Sequence, residues 1–225
     1  MPDSSNGSTW VYSAKLESAF RKVSDIQEFV RQYVIAPDKL PVSVEDTQWA
    51  IEEKYGFKIT KELVDFEAEH IRGMMERYEN GTAHVFIRQR QDNDLTVNGY
   101  WHRFIAVKEL SHLAIDEKED FNWDGSKTIE ELIADHIFEG MRPAKIEIQS
   151  EVLAELVAIE ILYPMEFRQA DIESGRLPSD LAKDYGVPPY VIERALSQGH
   201  MKMARALWHE IGGHGLGGLG SDPAG

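Results

Sequence analysis

The residues best suited to do chemistry lie in Trp101-His102-Arg103-Phe104-Ile105-Ala106-Val107-Lys108-Glu109-Leu110-Ser111-His112. The run reads as the front half of a helix with its polar residues on one side of a mostly apolar stretch. Glu109 and His112 are three apart, and Lys108 and His112 are four apart, so all three can share a face. With histidine at 108 the segment would read His-Glu-x-x-His. In that pattern two imidazoles one turn apart hold zinc and the glutamate between them is the general base. Residue 108 is lysine. The chemical question is whether a metal is still held here or whether a cation has taken its place.

Neighbouring residues offer ways to rebuild such a site. His102 lies six residues before Lys108, off the His112 face, and is a poor substitute ligand. Asp116 is four residues after His112 and shares its face, as a ligand or as a carboxylate orienting the imidazole. Glu151 and Glu155 are one turn apart in a later apolar run. Glu109, His112, Glu151 and either Asp116 or Glu155 would make a carboxylate-rich site for zinc, manganese or iron. The Glu-x-x-His spacing also occurs in di-iron bundles, but those need two copies on facing helices. Ordinary readings stand beside these. Lys108, Glu109 and His112 also suit a solvated helix face, His112 a hydrogen-bonded structural histidine, and Glu151 and Glu155 surface charges. His209-Glu210-Ile211-Gly212-Gly213-His214 is one residue too long for the zinc pattern. It puts its imidazoles about 140° apart around a helix rather than about 40°.

Composition narrows the classes. The chain has 225 residues, 42% hydrophobic, enough for one domain with a sizeable core or one domain with an extension. It has no cysteine, which excludes disulfides, thiol catalysis and cysteine-rich zinc sites. Net charge is −15, from 39 acidic and 24 basic residues. Such a field repels phosphate backbones, so no direct nucleic-acid partner is expected. No run of about 18 apolar residues occurs, so no membrane span is expected. The N-terminus lacks a basic region followed by an apolar core, so no signal peptide is expected and the location reads as cytoplasmic.

Elements must position these side chains. Apolar residues from Leu16 to Tyr33 recur at three and four, an amphipathic helix over Ser13–Val34. Pro37 and Pro41 mark a loop. Ser43 caps a second helix with Asp46 in its first turn, Trp49, Ala50, Ile51 and Tyr55 on its apolar side, and Gly56 as its stop. Phe57-Lys58-Ile59 reads as a short strand. Asn80-Gly81 is a hairpin turn ahead of a strand over Ala83–Arg88, with part of Phe66–Tyr78 pairing back. Thr96 or Asn98 caps the central helix, which runs to about Asp116. A charged loop over 117–127 and a short helix over Ile129–Phe138 follow. Ser150–Tyr163 is a strongly apolar helix stopped by Pro164. Met165–Ala170 makes a turn or two, Pro178–Tyr185 and Pro188–Leu196 a helix pair, 200–211 a last helix, and the glycine-rich tail a flexible end.

Two separated segments together resemble the ImmA/IrrE family of metallopeptidases. Arg103-Phe104-x-x-x-Lys108-Glu109-Leu110-Ser111-His112-Leu113 matches that family's run into His-Glu-Leu-x-His, except at 108. Glu151-x-x-Ala154-x-x-Val157-Ala158-x-x-Ile161-Leu162-Tyr163-Pro164 resembles its Glu-x-x-Ala-Asn-x-x-Ala-Ala-x-Leu-Leu-Met-Pro helix, with Glu155 at the family's asparagine. Leu181-Ala182-x-x-Tyr185-Gly186-Val187-Pro188 resembles its Leu-Ala-x-x-Phe-Gly-Val-Ser stretch. The resemblance spans roughly residues 43–197. It implies a mostly helical α+β fold, with a small antiparallel sheet packed on helices around a zincin-like metallopeptidase core. It divides the chain into an extension over 1–40, the metallopeptidase-like domain over 41–198, and a C-terminal helix with its tail over 199–225.

In an intact member two histidines and the leading glutamate of the second helix would hold zinc. Here that leaves His112 and Glu151 as metal ligands, Glu109 as the catalytic base, and Lys108 at the first histidine's place. Asp116 and Glu155 stand behind them. A protonated lysine repels zinc, and its ammonium near the vacated position would pair with Glu109 or Glu151 and replace the metal's charge. The expectation is a degenerate site, with no cofactor where Lys108 supplies the charge, in a regulatory protein that binds a protein partner such as a transcriptional repressor. The alternative is an active zinc endopeptidase cleaving a repressor-like protein.

Overall fold

The structure is a computed structural model and describes residues 13–34, 42–68, 71–89, 95–116 and 146–212. The expected helix over 129–138, the loops over 35–41, 91–94 and 117–127, and the tail beyond Gly212 lie outside the described residues.

Helix α1 (Ser13–Tyr33) buries Phe20, Val23, Ile26, Phe29 and Val30 at the expected helical spacing. Helix α2 (Val44–Tyr55) starts where Ser43 Oγ accepts from the Asp46 backbone N–H at 3.0 Å. It ends at Gly56, whose φ of 74° is left-handed and whose N–H donates to the Glu52 carbonyl. Trp49, expected on the apolar side of α2, is 42% exposed.

Three strands follow: β1 (Lys58–Val64), β2 (Gly73–Arg77) and β3 (Thr82–Arg88). Asn80-Gly81 forms the hairpin turn between β2 and β3: Gly81 has φ 82°, and Asn80 Oδ1 accepts from the Thr82 N–H at 3.0 Å. The sheet order is β1-β3-β2. β2 runs antiparallel to β3, but β1 runs parallel to it, with Lys58 opposite Thr82 and Val64 opposite Arg88. The expected antiparallel sheet is therefore a mixed one, and β1 is longer than Phe57–Ile59. Only Ile59 of β1 is buried, so the strand's later residues carry no alternating pattern, and backbone pairing with β3 holds them. A parallel partner needs a long connection, here residues 65–72 and β2 itself. Ala83, Val85 and Ile87 alternate inward along β3.

Helix α3 (Leu95–Ile115) packs on β2 and β3 on one side and on α2 and α4 (Ile146–Leu162) on others. A helix covered on several sides is apolar nearly all round, and every residue from Phe104 to Ile115 is buried except Lys108. Because α3 begins at Leu95, Thr96 and Asn98 lie inside it rather than capping it. Helix α4 starts four residues before Ser150, the expected first residue. Helices α5 (Met165–Glu173), α6 (Pro178–Tyr185), α7 (Pro189–Leu196) and α8 (Gln198–Glu210) complete the described chain. Gly186, left-handed at φ 60°, separates α6 from α7. Helices α1 and α8 belong to the same continuous apolar cluster as α3 and α4, and the Phe20 and Trp208 rings meet edge to face at 5.5 Å. The described part of the chain is thus a mostly helical α+β structure, and among the described residues no helix is long and apolar enough to cross a membrane.

Candidate functional site

Lys108, Glu109 and His112 project from α3, and Ser150 and Glu151 from the start of α4, where the two apolar helices press together. Lys108 Nζ donates to Glu151 Oε2 at 2.6 Å and lies 3.4 Å from Glu109 Oε1. His112 bridges two carboxylates. Its Nδ1 is 2.8 Å from Asp116 Oδ2, and its Nε2 is 2.9 Å from Glu151 Oε1. The second contact is an ion-pair approach only, because the Nε2–H direction misses the carboxylate oxygen and leaves that buried atom without a hydrogen bond. Ser150 Oγ donates to Asp116 Oδ1 at 2.7 Å and lies 3.0 Å from His112 Nδ1. A chain of alternating charge results: Lys108, Glu151, His112, Asp116.

Burial and charge compete at every link. Burial disfavours the Lys108 ammonium, but Glu109 and Glu151 outweigh it and raise its pKa. Burial likewise disfavours the His112 imidazolium, yet Asp116 and Glu151 push it up to about 10. Glu151 is buried enough to resist ionising, but His112 and Lys108 pull it down to about 2. Glu109 differs: burial wins over the attraction of Lys108 and His112, and its carboxyl is raised. Oppositely charged neighbours therefore hold three of these groups in their charged forms, while Glu109 is biased toward its neutral form.

Serine, histidine and aspartate meet here without forming a nucleophilic triad. A triad needs the acid on one ring nitrogen and the serine on the other. Ser150 and Asp116 both approach Nδ1, and the serine proton goes to Asp116. What they do is hold the ring at Nδ1, the way a carboxylate orients a metal-binding imidazole, and leave Nε2 2.9 Å from Glu151 Oε1 without a hydrogen bond.

The edge strand closes on this cluster. A Cβ at Gly73 would come within 2.5 Å of Ile105 Cγ2 and 2.8 Å of Glu109 Oε1, so only glycine lets β2 start there. At the other end of β2, Arg77 donates to the Asp116 carbonyl at 3.2 Å and stacks over Phe57.

Lys108, Glu109, His112, Asp116 and Glu151 thus converge. Glu155 does not join them. It pairs with Arg194 of α7 at 2.6 Å, next to Tyr190, which stacks on Trp101. His102 is half-buried with an unpartnered Nε2. Gly73 and Ser150 escape sequence reading. A glycine inside a strand signals close backbone approach, but Gly73 sits in a segment, Gly73-Met74-Met75-Glu76-Arg77, that reads equally well as helix. Ser150 carries no signal beyond adjacency to Glu151. No family model, curated protein or solved structure matches this chain.

Proposed function

We propose that this chain is an ImmA/IrrE-like, zincin-like metallopeptidase-fold protein whose zinc site has become an ion-pair cluster. We propose that it acts in the cytoplasm by binding a protein partner such as a transcriptional repressor. The observation that carries the reading is the 2.6 Å contact of Lys108 Nζ with Glu151 Oε2. The side chains do not suit a zinc ion. Two candidate ligands remain, His112 and Glu151, and the third place holds an ammonium kept protonated by its neighbours. Among the described residues no group of three or more His, Asp or Glu is arranged to hold a metal. The ammonium neutralises Glu151 where a bare carboxylate would be costly to bury. The glycine-pinned strand lying on the site helix, and the helix order around it, also support the fold reading.

Lys108→His tests it. The introduced imidazole with His112 and Glu151 would form a three-ligand zinc site. Elemental analysis and zinc titration are expected to give well under one equivalent for the natural protein and a marked gain for the variant. Stoichiometric zinc in the natural protein would sink the reading, and no gain in the variant would sink the placement of a zinc-site geometry here.

The raised Glu109 carboxyl favours the second reading, an active endopeptidase, because general bases are tuned upward by burial. That reading predicts chelator-sensitive cleavage of a repressor-like protein, lost in Glu109→Gln. The first reading predicts no cleavage by either protein.

A further inference from the structure

A second buried charge cluster lies on α4, away from Lys108, and neither reading of the site uses it. Glu160 is fully buried. Its Oε1 forms an ion pair with Arg168 of α5 at 2.8 Å and a hydrogen bond with His200 Nε2 of α8 at 3.0 Å. Its Oε2 accepts from the Trp208 indole N–H at 3.0 Å, and its backbone carbonyl accepts from Gln27 of α1 at 2.8 Å. Arg168, also fully buried, donates from Nε and Nη2 to the Tyr163 carbonyl at 3.0 and 2.6 Å and from Nη1 to Met165 Sδ at 3.8 Å. Both oxygens of the carboxylate are therefore partnered.

Apolar contacts alone tolerate sliding of one helix along another, because neighbouring turns offer similar surfaces. This cluster does not. A slip of α8 by one turn, about 5.4 Å, would carry His200 and Trp208 away from Glu160 and bring Ala204 to the place of one or the other. The Ala204 methyl donates no hydrogen bond. The carboxylate would lose both of its hydrogen bonds inside the core and keep only the Arg168 ion pair, which is strongly unfavourable.

We infer that the Glu160 cluster is a registry lock, which fixes the docking of α8, and with it α1 and α5, on α4. Buried ionic groups replaced by apolar ones often leave stability unchanged or raised, and in some proteins they select one packing.

The test compares two variants of the full chain. The first combines Glu160→Met, Arg168→Met, His200→Leu and Trp208→Phe. It is expected to unfold at a denaturant concentration close to that of the natural protein, but to lose methyl resonance dispersion. The same variant with native spectra overturns the proposal. The second, Trp208→Phe alone, keeps an aromatic ring and removes one donor, so it stays informative if the first does not fold. In hydrogen exchange the α8 amides are expected to lose protection by about tenfold, the size of one hydrogen bond, with the β1–β3 sheet unchanged. Equal loss in both regions, or no loss in α8, overturns the lock.

Discussion

Lys108 decides what the site is. Its side chain is 19% exposed, and it faces two carboxylates. Removing its charge leaves Glu151 beside His112 with one partner instead of two. Lys108→Met is expected to destabilise the fold by about 3 kcal/mol, typical of breaking one side of a buried ion pair. Urea unfolding measures it, and a loss below about 1 kcal/mol would place Lys108 with ordinary surface pairs instead. The sequence made this much legible because Lys108, Glu109 and His112 fall at helical spacing, and because Glu151 heads an apolar run. It did not reveal Ser150 or the unshared position of Glu155. Which of two acids one turn apart faces the partner helix depends on how the helices roll against each other. Here Arg194 draws Glu155 to α7.

Among the elements, those with a local chemical cause were readable and those set by distant pairing were not. Ser43 and Gly56 bound α2 as their types predict, and Asn80-Gly81 makes its turn. The direction of β1 has no such signature: its pairing with β3 is set by a chain return that no alternation encodes. The contact of β2 with α3 is likewise tertiary. Gly73→Ala would drive a methyl into Ile105 and Glu109. The expected loss is about 1–3 kcal/mol, the range for overpacking. Thermal unfolding checks it, and a neutral result would mean that β2 shifts freely on α3.

In the whole molecule the charge balance is acidic, yet the core relies on a few cations. Burial works against ionisation of Glu160, but Arg168, His200 and Trp208 overcome it and hold its carboxyl below the ordinary value of 4.5. The stability this gives is present above about pH 4.5 and is lost as pH falls through the folded value. Glu160→Gln is expected to lower stability at neutral pH and to flatten the acid limb of the stability curve. Parallel limbs for variant and natural protein would mean that Glu160 is uncharged in the fold. Nothing in the sequence around Glu160 marks partners 133, 40 and 48 residues away. The edge-to-face meeting of Phe20 with Trp208 has a consequence for synthesis. The first described helix leaves the ribosome with its apolar side bare; α2 and α4 cover part of it, and α8, the last described helix to be made, completes the cover. Such long-range closure is slow to form, and exposed apolar surface on an incomplete chain invites aggregation. Translation halted before α8 should therefore leave a nascent chain that holdase chaperones bind, released once Trp208 has emerged.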